Sequence, residues 1–279
     1  MTATTTTRHD AWAAGEHYER YMGRWSRQIA ARYLDWLGAP QDAAWLDLGC
    51  GTGALTQTIL ARSAPRTIVA IDQSADFVAH ARAATSDERV RMRFEVGDAQ
   101  KIPLPDAAVD VAASALVINF VPDRVQALRE MKRVVKPGGL ASFYVWDYPG
   151  GGMGFMTAFW NAAIALDPKA KELGEGRRFP FCTEQGLSAL AAEAGWPAAT
   201  VAPIEIAARF ASFEDLWQPF TLGAGPAPGY CVSLPEDKRA ALKQRLMDDV
   251  GGAGPVSFPA RAWAVRSREA EVCRQNTRL

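Results

Sequence analysis

Leu46-Asp47-Leu48-Gly49-Cys50-Gly51-Thr52-Gly53 is the stretch on which the reading of this chain turns. The apolar run 43–48 ends in three glycines at alternate positions, and helical sequence over 53–62 follows. Strand, glycine turn and helix in that order open a βαβ unit, and the glycines let a ligand approach the backbone where a Cβ would obstruct it. Outward from the turn, two kinds of segment alternate. Residues 67–72, 90–97, 109–115 and 140–146 read as strands two to five, and 74–84 and 122–135 as helices. Pro122 takes the favoured early helical position, and Lys136-Pro137-Gly138-Gly139 ends that helix. Alternation of this kind predicts an α/β fold with a doubly wound, mostly parallel sheet.

Upstream, Tyr18, Met22, Trp25, Ile29, Tyr33 and Trp36 recur at helical steps, with Gly23 as the place where the helix divides. Downstream, 147–182 is rich in glycine and aromatic residues. A helix is expected over 183–195, strands over 200–210 and 256–265, and helical sequence over 212–222 and 235–250. The glycines of 150–154 read as a hinge.

Composition narrows the partners. The 279 residues carry 31 basic and 31 acidic side chains, so the chain lacks the global positive field of a nucleic-acid binder. No run of about 18 apolar residues suggests a membrane span. Cys50, Cys182, Cys231 and Cys273 form no CxxC pair, which argues against a zinc site or a disulfide framework. Together with a threonine-rich start that has no apolar signal core, this reads as a cytoplasmic chain with reduced thiols and no metal.

Two carboxylates extend the glycine turn into a candidate site. Asp72 ends the second strand, 19 residues beyond Gly53, where it can accept both hydroxyls of a ribose. Asp98, in Gly97-Asp98-Ala99, lies 26 residues further on at the end of the third strand, able to accept from an adenine amino group. The glycine pattern is GxGxG, with Ala54 where the dinucleotide fingerprint has its third glycine. Asp47 sits two residues before the first glycine, an unfavourable neighbour for a pyrophosphate but not for a sulfonium.

Taken together, LDLGCGTG, IDQS, GDAQKIPLPDAAVDV and LREMKRVVKPGG resemble the successive motifs of class I S-adenosylmethionine-dependent methyltransferases. The likeness is closest to the small-molecule branch that includes the ubiquinone and menaquinone biosynthesis methyltransferases, and it covers residues 12–147. It implies a Rossmann-like seven-stranded sheet with the last strand antiparallel, and S-adenosyl-L-methionine as cofactor, with S-adenosyl-L-homocysteine as product. It further implies cofactor contacts from Gly49, Gly51, Asp72, Gln73, Asp98 and Ala99, with Ser114, Ala115 and Leu116 near the methyl-bearing end. The family's N-terminal helix often closes over the cofactor. Tyr18 or Tyr21 would then face the sulfonium and Arg24 would pair with the methionine carboxylate; the alternative is an ordinary packed amphipathic helix. On this basis 1–279 is one methyltransferase domain. It comprises an N-terminal helical cap (10–38), a cofactor-binding core (41–147), helical lid insertions (148–182 and 211–250) and final strands (200–210 and 256–266).

Methyl transfer is an in-line displacement that mainly requires alignment of nucleophile and methyl at about 3–3.5 Å. A base is needed only when the nucleophile must lose a proton. His17, Asp147 and Tyr148 are the candidates for that role; His9 lies in the leader and His80 in mid-helix, and catalysis by proximity is the default. The aromatic insertions fit a small, apolar or aromatic acceptor methylated at O, N or C. Two rivals stay open: a non-catalytic cofactor- or protein-binding module, and a nicotinamide-dependent oxidoreductase.

Overall fold

The computed structural model describes residues 19–269 apart from 86, 88, 197 and 224. Its seven strands form one sheet in the order β3-β2-β1-β4-β5-β7-β6. In chain order these are β1 (Ala44–Leu48), β2 (Thr67–Asp72), β3 (Arg91–Val96), β4 (Val109–Ala115), β5 (Val135–Trp146), β6 (Thr200–Phe210) and β7 (Val256–Arg268). The pairs β1/β2, β1/β4, β2/β3 and β4/β5 are parallel. All five residues of β1 are buried, as a central parallel strand covered on both faces requires. Along β5, Gly139 accepts from the Glu269 N–H, whereas the Asp147 N–H donates to Arg261 O. Rising numbers on β5 thus meet falling numbers on β7, so β7 runs antiparallel. From β1 the chain winds outward to β2 and β3, returns to β4 beside β1, and continues to β5. The winding direction therefore reverses between β1 and β4.

The helices are set by local chemistry. A π-helical turn at Glu19–Gly23 leads into α1 (Arg24–Leu37), so Gly23 marks the expected division. Next come α2 (Ala54–Arg62), α3 (Ala75–Ala84) and α4 (Arg124–Val134). Ser74 caps α3 by accepting from the Phe77 N–H, and Asp123 caps α4 by accepting from the Gln126 N–H, each worth about 1 kcal/mol. Pro122 therefore precedes the cap and is not an early helical residue as expected; the aspartate side chain fixes the start instead. The Lys136–Gly139 stretch ends α4, but it is already part of β5. The β4/β5 register jumps from Val109↔Val135 to Val111↔Leu140, so these residues bulge from the ladder. Gly139 is required there, since a Cβ would stand 2.6 Å from Asp110 O.

Residues 147–182 carry more regular structure than their glycines suggest: α5 (Gly154–Leu166), a 3-10 segment at Pro168–Leu173 and α6 (Glu175–Arg178). After α7 (Glu184–Glu193) and β6 come α8 (Phe213–Trp217), a 3-10 turn at Gln218–Leu222, α9 (Pro226–Ser233) and α10 (Glu236–Asp249). The sequence reading missed α9, because Pro226-Ala-Pro-Gly229 looks like a loop. Pro226 is tolerated at its first turn, where the missing N–H costs nothing.

The described residues divide into two compact units. One comprises 30–145, 184–202 and 263–269 and holds β1 to β5 almost entirely. Its interior includes Trp45 and the pair Tyr33 and Tyr144, with ring centroids 4.5 Å apart. The other comprises 19–29, 146–183 and 203–262. It has an aromatic core of its own, in which Phe159 stacks on Phe220 at 4.3 Å and Tyr21 lies edge-on to Phe155 and Phe220. Trp25 meets Phe210 at 5.2 Å. The aromatic residues of the insertions thus largely pack on one another. Among the described residues no helix is long and apolar enough to cross a membrane.

Candidate cofactor site

In open α/β sheets a ligand lies at the carboxyl ends of the strands where the winding reverses. Here that place is the turn after β1 and the loop after β4. Gly49, Gly51 and Gly53 have φ values of +74°, +53° and +94°, a left-handed backbone that side chains disfavour. The N–H groups of Gly49 and Cys50 both donate to Ile71 O of β2, which ties the turn down. A Cβ on Gly49 would run into the Val117 side chain, whereas one on Gly51 would meet nothing within 4 Å. Gly49 is therefore needed for packing, and Gly51 leaves open space above the turn.

Asp72 joins that turn to the next helix. Its Oδ2 accepts from the Gly51 N–H and its Oδ1 from the Ser74 N–H, both at 2.9 Å. The residue is 8% exposed, and burial raises its carboxyl above the usual range against the opposing pull of these N–H groups. Gln73 beside it is exposed. Asp98 lies just past β3, exposed, with Oδ1 accepting from the Gln100 N–H at 2.8 Å; Ala99 is half-buried. Gly97 N–H donates to Asp72 O, which links the two strand ends.

Asp47 is fully buried beneath the turn. Thr56, in the first turn of α2, donates its hydroxyl to Oδ2, and Oδ1 has no partner. Burial, together with the nearby Asp72 charge, pushes this carboxyl up to about 7 against the lowering effect of Thr56. Ser114, expected near the methyl-bearing end, donates its buried hydroxyl to Leu48 O at 2.7 Å and stitches β4 to β1. Leu116 has φ +62° and donates its N–H to Tyr144 O. Thr56, which holds Asp47, and Val117, which packs on Gly49, are supports of the turn that sequence reasoning missed; the loop after β4 also buries Asn119. Asn119 is the lone amide in the apolar run 115–121.

The remaining candidates belong to the second unit or fall outside the described residues, as His17 and Tyr18 do. Arg24 pairs with Asp215 at 3.1 Å and lies over the rings of Trp25 and Phe210; its Nε and Nη2 are buried and have no partner. Tyr21 is buried in the aromatic core. Asp147 is also buried. Its Oδ2 accepts from Nε and Nη2 of Arg261 and its Oδ1 from the Gly150 N–H. Those bonds hold the 147–152 turn and engage both carboxylate oxygens. Tyr148 packs against Phe179 with centroids 5.4 Å apart.

The residues of the first unit suit an adenosyl sulfonium. Three carboxylates stand at consecutive strand ends, an unobstructed glycine lies among them, and no lysine or arginine occurs in 46–53 to bind a phosphate.

Comparison with known proteins agrees. A family model described as a methyltransferase domain matches residues 46–143. The 2-phytyl-1,4-naphtoquinone methyltransferase of Thermosynechococcus vestitus is 32% identical over 173 residues, which are 58% of this chain and 76% of that protein. The malonyl-[acyl-carrier protein] O-methyltransferase of Pectobacterium atrosepticum is 32% identical over 126 residues, 45% of this chain and 47% of that one. The chain spans about half the length of the malonyl-type relatives it matches. In fold it is similar to Haemonchus contortus phosphoethanolamine N-methyltransferase 2, solved in complex with S-adenosyl-L-methionine. The TM-score is 0.59 at 13% identity, with coverage of 98% of this chain and 62% of that one.

Proposed function

This chain belongs to the class I S-adenosylmethionine-dependent methyltransferases, and from that premise we propose that it methylates a small, apolar or aromatic acceptor. The observation that carries the cofactor part of this reading is the Asp72 carboxylate bonded to the N–H of an open Gly51 where the winding of the sheet reverses, with Asp98 just past the end of the neighbouring strand; the acceptor class rests on the aromatic composition of the insertions. When bound, the cofactor supplies an electrophilic methyl group on a sulfonium. Asp72 accepts the ribose hydroxyls and Asp98 the adenine amino group, with Gln73 and Ala99 flanking them. Gly51 admits the methionine portion to the backbone, Gly49 seats the Val117 side chain that braces the turn, and Leu116 borders the methyl-bearing end. Proximity and exclusion of water do most of the catalytic work. The malonyl-[acyl-carrier protein] relatives favour a second reading, in which the acceptor arrives on a carrier protein.

Calorimetry with S-adenosylmethionine, S-adenosylhomocysteine and NAD tests the cofactor. Binding of NAD alone would return the chain to the oxidoreductase reading. A screen of metabolite extract for methyl-labelled products then tests for an acceptor, and label on a protein band would favour the carrier.

A further inference from the structure

The loop after β4 holds a side chain that the protein leaves without a partner. Asn119 lies in the 3-10 turn Ile118–Phe120 and is 1% exposed, and neither its amide nitrogen nor its side-chain oxygen meets a hydrogen-bonding group. Its backbone, in contrast, is firmly held. Asn119 O accepts from Arg124 Nη2 at 3.2 Å, and the Phe120 N–H returns to Val117 O at 2.8 Å. The Val117 side chain fills the space that a Cβ on Gly49 would need, so this loop is braced on the glycine turn. Leu116, three residues earlier, sits in the left-handed region.

A primary amide offers two donors and two acceptor sites, and leaving them all unmade in the interior is costly. An apolar residue of the same volume would avoid that cost, and Leu116, Val117, Ile118, Phe120 and Val121 around it are all apolar. A strained backbone and an unsatisfied amide coincide at the carboxyl end of β4, beside the point where the winding reverses. A ligand is the partner that such an arrangement lacks.

Resting on the methyltransferase reading, we propose that Asn119 hydrogen-bonds the reacting hydroxyl or amine of the acceptor. Its side-chain oxygen accepts the acceptor's O–H or N–H and so turns the lone pair toward the methyl group. That lone pair forms the new bond to carbon as the carbon–sulfur electron pair passes to sulfur, and the acceptor's proton then leaves to water. Asn119 aligns the nucleophile and takes no proton itself.

The test is Asn119→Leu in the full chain, read three ways. The ligand-free variant should melt at a higher temperature than wild type. It should bind S-adenosylhomocysteine within about twofold of wild type, and it should transfer tritiated methyl from S-adenosylmethionine into metabolite extract at least tenfold more slowly. A lower melting temperature would overturn the proposal by showing that the amide belongs to a satisfied interior. A tenfold loss of S-adenosylhomocysteine affinity would assign it to the cofactor instead, and undiminished transfer would remove it from the reaction. Wild-type protein that fails to bind S-adenosylhomocysteine would sink the methyltransferase reading, a result distinct from all of these.

Discussion

Replacing Asp47 by asparagine should change how the stability of this protein depends on pH. The carboxyl is fully buried, and the groups that bear on it are the Thr56 hydroxyl, Asp72, Cys50 and Tyr33, none of them a cation. Burial pushes it from 3.8 up to about 7. Below pH 3.8 the folded and unfolded chains both hold the proton. Between there and pH 7 the unfolded chain releases it first, so stability falls by about 1.4 kcal/mol per pH unit. Above pH 7 the loss is complete, at about 4 kcal/mol. Asp47→Asn removes this titration. It keeps an oxygen for Thr56 but places an amide N–H₂ without an acceptor at the former Oδ1, at a pH-independent cost of about 1–3 kcal/mol. The variant should therefore be about 1–3 kcal/mol more stable than wild type at pH 8 and near parity at pH 5. Urea unfolding of ligand-free protein from pH 5 to 9, followed by tryptophan fluorescence, measures the difference while other titrations cancel. A difference constant over that range would refute the reasoning.

Other consequences can be checked in the same preparations. Asp72→Ala should reduce S-adenosylhomocysteine affinity by about 10- to 100-fold, the value of a charged hydrogen-bonding group, with the fold intact by circular dichroism; unchanged affinity would remove it from the site. Gly49→Ala should destabilise more than Gly51→Ala in urea melts. Both incur left-handed strain of about 1–2 kcal/mol, but only at residue 49 does the new methyl strike Val117. Ser114→Ala should lower stability by about 1 kcal/mol through the lost bond to Leu48 O and leave cofactor affinity alone. Arg261→Met should destabilise by about 3 kcal/mol, because it strands the buried Asp147 carboxylate; equal midpoints would show that the pair contributes nothing.

The glycine turn, the strand ends at Asp72 and Asp98, and the doubly wound order were legible because each is written in contiguous residues. Alternating strands and helices leave a local periodic trace, and a turn that needs positive φ calls for glycine in place. Local reading failed where three-dimensional geometry, and not residue type, decides. Pro122 looked like a helix start because the capping bond of Asp123 is a matter of geometry, and 136–139 looked like a simple break because the bulge exists only against β4.

The same division holds at the site. Sequence alone determined which carboxylates stand at the ends of β1, β2 and β3, since strand order along the chain puts them there. Tertiary structure decided what each polar group is free to do. It committed the Ser114 hydroxyl to Leu48 and Asp147 to Arg261, and it left Asp47 Oδ1 and the Asn119 amide without partners. Availability depends on which atoms lie within about 3 Å, and residues 66 or 114 positions apart meet only when the chain has folded.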